Sequence, residues 1–335
     1  MTATAPPPAA PATGAAPHDG VVAHGLARSF GDVHAVRDVS LTVPSGSVTA
    51  LVGPNGSGKT TLMLLLATLL RPDAGAVTIG GVDAVREPQE ARRRLGWMPD
   101  TLGVWESLTC RDILTSLGRL YGMGAAEAAA RAGEQLERVS LTEFADRPAR
   151  VLSRGQQQRL SLARATVHRP GVLLLDEPAN GLDPAARIRL RDDVRAMAAE
   201  GTAILVSSHV LAELEEMSDR AVFVREGATL STQEFREDAA QTRPYRIAGP
   251  ASARPDVLVR ALEARGLAVE PAAAHGQPRA GVVVGLRGET AAAELLADLV
   301  REGVPVSHFA PEGSRLENAY LGLHLDRDTA KGDRP

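Results

Sequence analysis

The sequence predicts an α/β protein with a substantially parallel sheet, joined to a smaller α+β domain at its C-terminal end. From Val21 to about Phe223, short β-branched apolar runs alternate with longer helical patterns, the rhythm of strand–helix–strand units. After about Arg225 the texture shifts towards Ala, Pro and Arg, which sets a boundary near residue 230. A chain of 335 residues is long enough for one large domain and one appendage. The organisation that follows is an Ala/Pro-rich disordered tail over 1–20, a main domain over 21–230 and an accessory domain over 231–335.

VTALVG (48–53) is an apolar strand running into a glycine-rich turn, and KTTLMLLLATLL (59–70) is a helix stopped by Arg71-Pro72. VTIGG (77–81) is a strand and turn. GVLLLDEP (171–178) and TAILVSS (202–208) are apolar without alternation, as central strands buried on both faces are. Between them, residues 182–201 form an amphipathic helix with Pro184 near its start and Gly201 at its end. In the accessory domain, strands at 245–249, 281–287 and 306–310 alternate with helices at 253–266 and 289–303, and a last helix lies near RLENAYLGL.

Composition narrows the class. With 44% hydrophobic residues, 23% charged and a net charge of -4, the chain is globular and carries no nucleic-acid footprint. The single cysteine, Cys110, excludes an intrachain disulfide and fits a reducing compartment, where it reads as a small buried apolar residue. The longest apolar stretch, Leu62 to Leu70, falls far short of the ~20 residues of a spanning helix, and the first residues lack the regions of a signal peptide. Nearly all positive charge is arginine, the only lysines being Lys59 and Lys331, so an ammonium kept at position 59 points to a site that needs a compact point charge.

Lys59 sits in Gly53-Pro54-Asn55-Gly56-Ser57-Gly58-Lys59-Thr60-Thr61, which satisfies G-x-x-x-x-G-K-[ST] between a strand and a helix. Such a loop converges backbone N–H groups on the β- and γ-phosphates at a helix N-terminus, the lysine adds mobile charge, and the Thr60 hydroxyl can ligate Mg²⁺. At the end of the VLLLDEP strand, Asp176 can hold the Mg²⁺ shell while Glu177 polarises the attacking water. Upstream, Leu152-Ser153-Arg154-Gly155-Gln156 opens a helix with Ser153 as its cap, a second anion-binding terminus.

That pentapeptide resembles the signature of ATP-binding-cassette (ABC) proteins, and the family's other motifs follow in order over roughly residues 21–230. GLDP (181–184), with Asp183, is similar to the D-loop, SSH (207–209) places His209 as the switch histidine, and Phe30 stands where an aromatic stacks on adenine. The resemblance implies a P-loop NTPase cassette that binds ATP with Mg²⁺ and hydrolyses it, with Glu177, His209 and Lys59 catalytic. Two positions depart from the family pattern. Arg154 replaces the first glycine of LSGGQ, adding a cation, and Asp100 stands where a glutamine is usual, adding negative charge to a position that could still bond water or Mg²⁺ ligands.

One phosphate loop and one signature per chain imply, for this family, a head-to-tail dimer: Lys59, Thr60 and Asp176 of one chain and Ser153, Gly155 and Gln156 of the other enclose each ATP. The second chain is a further copy or a paralogous ATPase. The resemblance further implies a separate integral-membrane permease, docking near Asp100 to Tyr121 where Trp97, Trp105 and Tyr121 cluster, and a location on the cytoplasmic face of the membrane. SRLENAYLGL is similar to the end of bacterial drug-export ATPases of the ABC-2 type, which favours export. A soluble ABC ATPase of ribosomes or DNA is the competing class, against which stand the single cassette and the absence of sustained heptads between Lys59 and Ser153.

Overall fold

The computed structural model describes residues 19–101, 103, 105, 107–234, 242–250, 254–271, 281–312 and 316. The chain opens with β1 (Asp19–Phe30), β2 (Val33–Pro44), β3 (Val48–Val52), α1 (Lys59–Leu66), β4 (Ala74–Ile79) and β5 (Val82–Asp83). There follow α2 (Pro88–Arg94), β6 (Leu95–Met98), α3 (Cys110–Leu120), α4 (Ala125–Arg138), α5 (Arg154–Thr166) and β7 (Val172–Asp176). Next come α6 (Pro184–Ala199), β8 (Ala203–Ser207), α7 (Leu211–Met217), β9 (Arg220–Arg225) and β10 (Ala228–Glu234). Last are β11 (Thr242–Ala248), α8 (Pro255–Glu263), β12 (Val269–Pro271), β13 (Val282–Arg287), α9 (Gly288–Arg301) and β14 (His308–Pro311). By contacts these divide into two units, one of Met1–His209 with Val224–Ser231 and one of Val210–Phe223 with Thr232–Pro335.

In the first unit β3, β8, β7 and β6 pair in parallel in that order. Strands β3, β7 and β8 are buried at every position, which is why their sequences are unbroken apolar runs. The other half of the unit's sheet differs from the sequence expectation. β1 pairs with β2 and with β4, and β4 with β5, all antiparallel, so one end of the sheet is antiparallel while the parallel run β3-β8-β7-β6 forms the other, and β10 joins β2 in parallel at Ala228 and Asp38. Strands β1 and β2 alternate between buried and exposed positions, a period that a scan for continuous apolar runs passes over.

Helix α1 is shorter than its apolar run. It ends at Leu66; Thr68 turns to φ 59°, and the N–H groups of Leu69 and Leu70 return to the carbonyl of Leu64. Arg92 holds that turn through the hydroxyl and carbonyl of Thr68, at 2.7 and 3.0 Å. Helices α3, α4 and α5 share a separate apolar cluster that includes Cys110, Ile113, Leu114, Leu136 and Leu160. Among the described residues, no helix is long and apolar enough to cross a membrane.

The second unit carries a four-stranded antiparallel sheet in the order β12-β13-β11-β14. With α8 and α9 as its two crossovers this is the split β-α-β-β-α-β arrangement. Tyr245, Ile247, Leu262, Val284 and Leu299 lie at its core. The three-residue β12 escapes sequence reading because so short a run has no period. The helix expected near RLENAYLGL falls outside the described residues except for Leu316.

Near the end of α5, the His168 ring stacks on Tyr121 with centroids 3.7 Å apart, and its Nε2 lies 3.1 Å from the carbonyl oxygen of Leu95. Burial pushes the imidazole down from 6.5 to about 4. Because the unfolded chain takes up this proton first, the contribution to stability is complete above pH 6.5 and is lost as pH falls towards 4. Calorimetric melting temperatures should fall across that window, and His168→Phe, which keeps a ring against Tyr121 but cannot titrate, should flatten the slope. An unchanged slope in the variant would remove His168 as its source.

Candidate nucleotide-binding and catalytic site

The loop between β3 and α1 is shaped by what cannot fit there. A Cβ on Gly53 would lie 2.2 Å from the Val224 carbonyl oxygen, and one on Gly58, which sits at φ +97°, would lie 2.3 Å from that of Ala35. Both positions therefore require glycine. The loop closes through Ser57 N–H donating to Pro54 O at 3.2 Å, while Ser57 O accepts from Gly227 N–H at 3.0 Å. Gly58 caps α1 with no side-chain hydrogen bond, which leaves the first N–H groups of the helix for an anion. Lys59 is the first residue of α1, and its ammonium donates to the carbonyls of Gly53 (2.8 Å) and Pro54 (3.0 Å). Burial lowers its pKa, against the opposing charges of Glu177 and Asp176. Thr60 follows it and is exposed, as are Asn55 and Gly56, whereas Thr61 is half-buried.

The carboxylates meet at the ends of β7 and β8, where the parallel register sets Asp176 opposite Ser207. The Ser207 hydroxyl donates to Asp176 Oδ1 at 2.6 Å, and Glu177 N–H is shared between the hydroxyl and carbonyl oxygens of Ser207, each at 3.2 Å. Glu177 takes φ 51°, a left-handed conformation that a non-glycine residue holds only when its surroundings enforce it. That turn aims its carboxylate at His209, whose Nδ1 lies 2.8 Å from Glu177 Oε2. Asp176 is 5% exposed, and its pKa is raised by burial first, then by Glu177 and Asp100, with the Ser207 hydrogen bond and Lys59 acting against them. Asp100 thus belongs to the same electrostatic cluster, and Asn180 Nδ2 donates to its Oδ1 at 3.1 Å.

Three carboxylates with one lysine make a locally anionic site that calls for a cation. Among the described residues no cluster of three or more His, Cys, Asp or Glu forms a ready metal cage. That donor set fits Mg²⁺, which takes one or two carboxylates and completes its shell with substrate phosphates and water.

At the start of α5, Ser153 and Gln156 form a reciprocal capping box: Ser153 N–H donates to Gln156 Oε1 at 2.8 Å, and Gln156 N–H to Ser153 Oγ at 3.4 Å. The amide oxygen of Gln156 is therefore engaged within its own helix end. Arg154 lies across Gly181, whose Cβ position would be 2.9 Å from Arg154 Nε, so the extra cation packs on the loop before α6. Asp183 caps α6, accepting from Ala186 N–H at 2.9 Å, and this backbone hydrogen bond chiefly lowers its pKa. Among the described residues, no hydrogen bond or ion pair joins Ser153, Gly155 or Gln156 to residues 53–61. Phe30, exposed at the end of β1, lies 5.0 Å under the Arg28 guanidinium, which Asp73 holds at 2.7 Å.

Two residues at the centre of this geometry are missed by motif reading. Ser207 lies inside the SSH run, where the titratable His209 carries the stronger chemical signal. Gln158 has no motif signal, yet its Nε2 donates to the carbonyls of Glu177 (3.1 Å) and Pro178 (3.0 Å), tying α5 to the turn at Glu177. Ser207→Ala removes a hydrogen bond to a buried carboxylate, worth about 1.5–3 kcal/mol. Steady-state ATP hydrolysis should therefore fall roughly tenfold or more, and wild-type turnover in that variant would show that Ser207 does not organise the site.

Residues 36–180 match the ABC transporter family. The daunorubicin resistance ATP-binding protein DrrA3 of Streptomyces coeruleorubidus is 38% identical over 249 residues, covering 74% of this chain and 76% of the relative. DrrA2 of the same organism is 34% identical over 311 residues, covering 90% and 94%. A solved ATP-binding subunit of an ABC transporter superposes with a TM-score of 0.61 at 28% identity, over 65% of this chain and 91% of that one. A phosphate loop, buried Asp176, Glu177 and an Arg154–Gly155 helix start in one P-loop NTPase fold agree with these likenesses: the chain belongs to the ATP-binding subunits of ABC transporters and is an ATPase of that family.

Proposed function

We propose that this ATPase drives a separate integral-membrane permease, as an exporter, by closing with a second ATPase chain around ATP. The observation that carries the reading is the division of the site: Lys59, Asp176 and Glu177 form one charged cluster, while the start of α5 is capped by its own Ser153 and Gln156 and, among the described residues, shares no hydrogen bond with residues 53–61. Each chain then supplies half of two sites, Ser153 and Gly155 of one facing the phosphate loop of the other. The second chain is another copy or a paralogue.

In this reading the N–H groups of Gly56 to Thr61 and the Lys59 ammonium hold the phosphates, and Phe30 stacks on the adenine. Thr60 and Asp176 would hold Mg²⁺, which would supply positive charge to offset that of the phosphates. Glu177 accepts the proton of the attacking water, kept in place by His209. The γ-phosphate is the contact that differs before and after hydrolysis, so its loss opens the dimer.

For the permease, the candidate surface runs over α3 and the end of α5. Trp105 is exposed over Arg164 at 5.7 Å, Tyr121 stacks on His168 about one turn further along, and Leu120 is 78% exposed. Trp97, by contrast, lies half-buried in β6. An apolar segment with an acidic end suits such a patch. In this reading the chain works at the cytoplasmic face of the membrane. Relatives named for daunorubicin resistance favour export.

Two experiments test these steps. Glu177→Gln should cut turnover by about 100-fold or more and yield a dimer with ATP on analytical ultracentrifugation; undiminished turnover rejects Glu177 as the base. The combined Trp105→Ala and Leu120→Asp variant should hydrolyse ATP normally yet lose its polytopic membrane partner on gentle detergent extraction, and full recovery of that partner would move the docking surface elsewhere.

A further inference from the structure

The chain passes from one unit to the other at the bond between His209 and Val210, so α7 belongs by its contacts with the C-terminal residues. Glu215 of α7 makes two of these contacts. One of its oxygens lies 3.8 Å from Arg243 NH2 on β11, and the other accepts the N–H of Leu316 at 3.4 Å. Both charged side chains are mostly covered, at 21% and 22% exposed, and Leu316, within SRLENAYLGL, is fully buried. Among the described residues, the buried Nε of Arg243 has no hydrogen-bond partner. Its guanidinium is thus held by charge more than by a complete set of hydrogen bonds, a contact that can tighten or let go.

We infer that the C-terminal unit sets the position of His209, and through it the rate of ATP hydrolysis, by means of the Glu215–Arg243 ion pair. Only Val210 separates His209 from the first residue of α7, so a shift of this short, stiff helix is carried directly into the 2.8 Å contact between His209 Nδ1 and Glu177 Oε2. ATP itself is held by a loop that this displacement does not involve. Glu215 and Arg243 are positioning residues, and the accessory unit, which offers no catalytic motif, becomes the part through which a signal reaches the chemistry. The inference rests on the proposed role of His209 in holding Glu177.

The test is steady-state ATPase kinetics on the full chain. Arg243→Glu and Glu215→Arg should each lower kcat by about tenfold and leave the KM for ATP within about twofold. The charge-swapped double variant should regain most of kcat, and the milder Arg243→Gln should fall between. Added to His209→Ala, Arg243→Glu should cause no further loss, because both act on one contact. Unchanged kcat in the folded single variants, a loss confined to KM, failure of the swap to rescue, or a full additive loss on the His209→Ala background would each overturn the coupling. Undiminished kcat in His209→Ala alone would instead reject the role of His209.

Discussion

The site depends on the parallel pairing of β7 with β8, which puts Asp176 beside Ser207. A shift of that register by one residue would turn Asp176 to the other face of the sheet and separate it from the serine hydroxyl. The apolar runs on both strands hold the register because every position is buried. With the register set, one hydroxyl donates to Asp176 and accepts from Glu177 N–H, so the two carboxylates are oriented by a single neighbour. The left-handed turn at Glu177 then brings its carboxylate to His209. Packing thus fixes a geometry whose cost is borne by the central strands.

The charges gathered there have a common consequence. Burial raises the pKa of Asp176 and lowers that of Lys59, so each group opposes its own charge and each is supported by the other. Asp100 adds a further negative charge where the family carries a neutral amide, and Asn180 takes up one of its oxygens. Arg154 adds a positive charge at the start of α5, packed on Gly181. The two departures from the family pattern therefore lie near the turn at Glu177 and carry opposite signs.

Much of this was legible in the sequence where a motif coincides with a strong local constraint. The phosphate loop, the strand end at Asp176 and the cap at Ser153 each combine a spacing rule with a backbone need, and the structure places them at a strand end or a helix start as that need requires. The antiparallel β1–β2–β4 region was less readable, because alternating strands leave a weak signal beside unbroken apolar ones. Ser207 and Gln158 were not readable as part of the site: their contacts arise from pairing between distant strands and from a helix crossing the turn at Glu177. The Glu215–Arg243 pair joins residues 28 positions apart in sequence with only charge to mark them, and no local pattern distinguishes it from a surface pair.

In the proposed cycle each ATP is enclosed by two chains. The most direct measurement is ATP hydrolysis by a mixture of two separately inactive variants, Lys59→Ala, which loses the phosphate-holding ammonium, and Gly155→Glu, which places a carboxylate at the start of α5. If each site is shared, the mixed dimer contains one intact pair of half-sites and activity returns on mixing. If every chain hydrolyses ATP with its own residues alone, the mixture stays as inactive as its parts, and the shared site is contradicted.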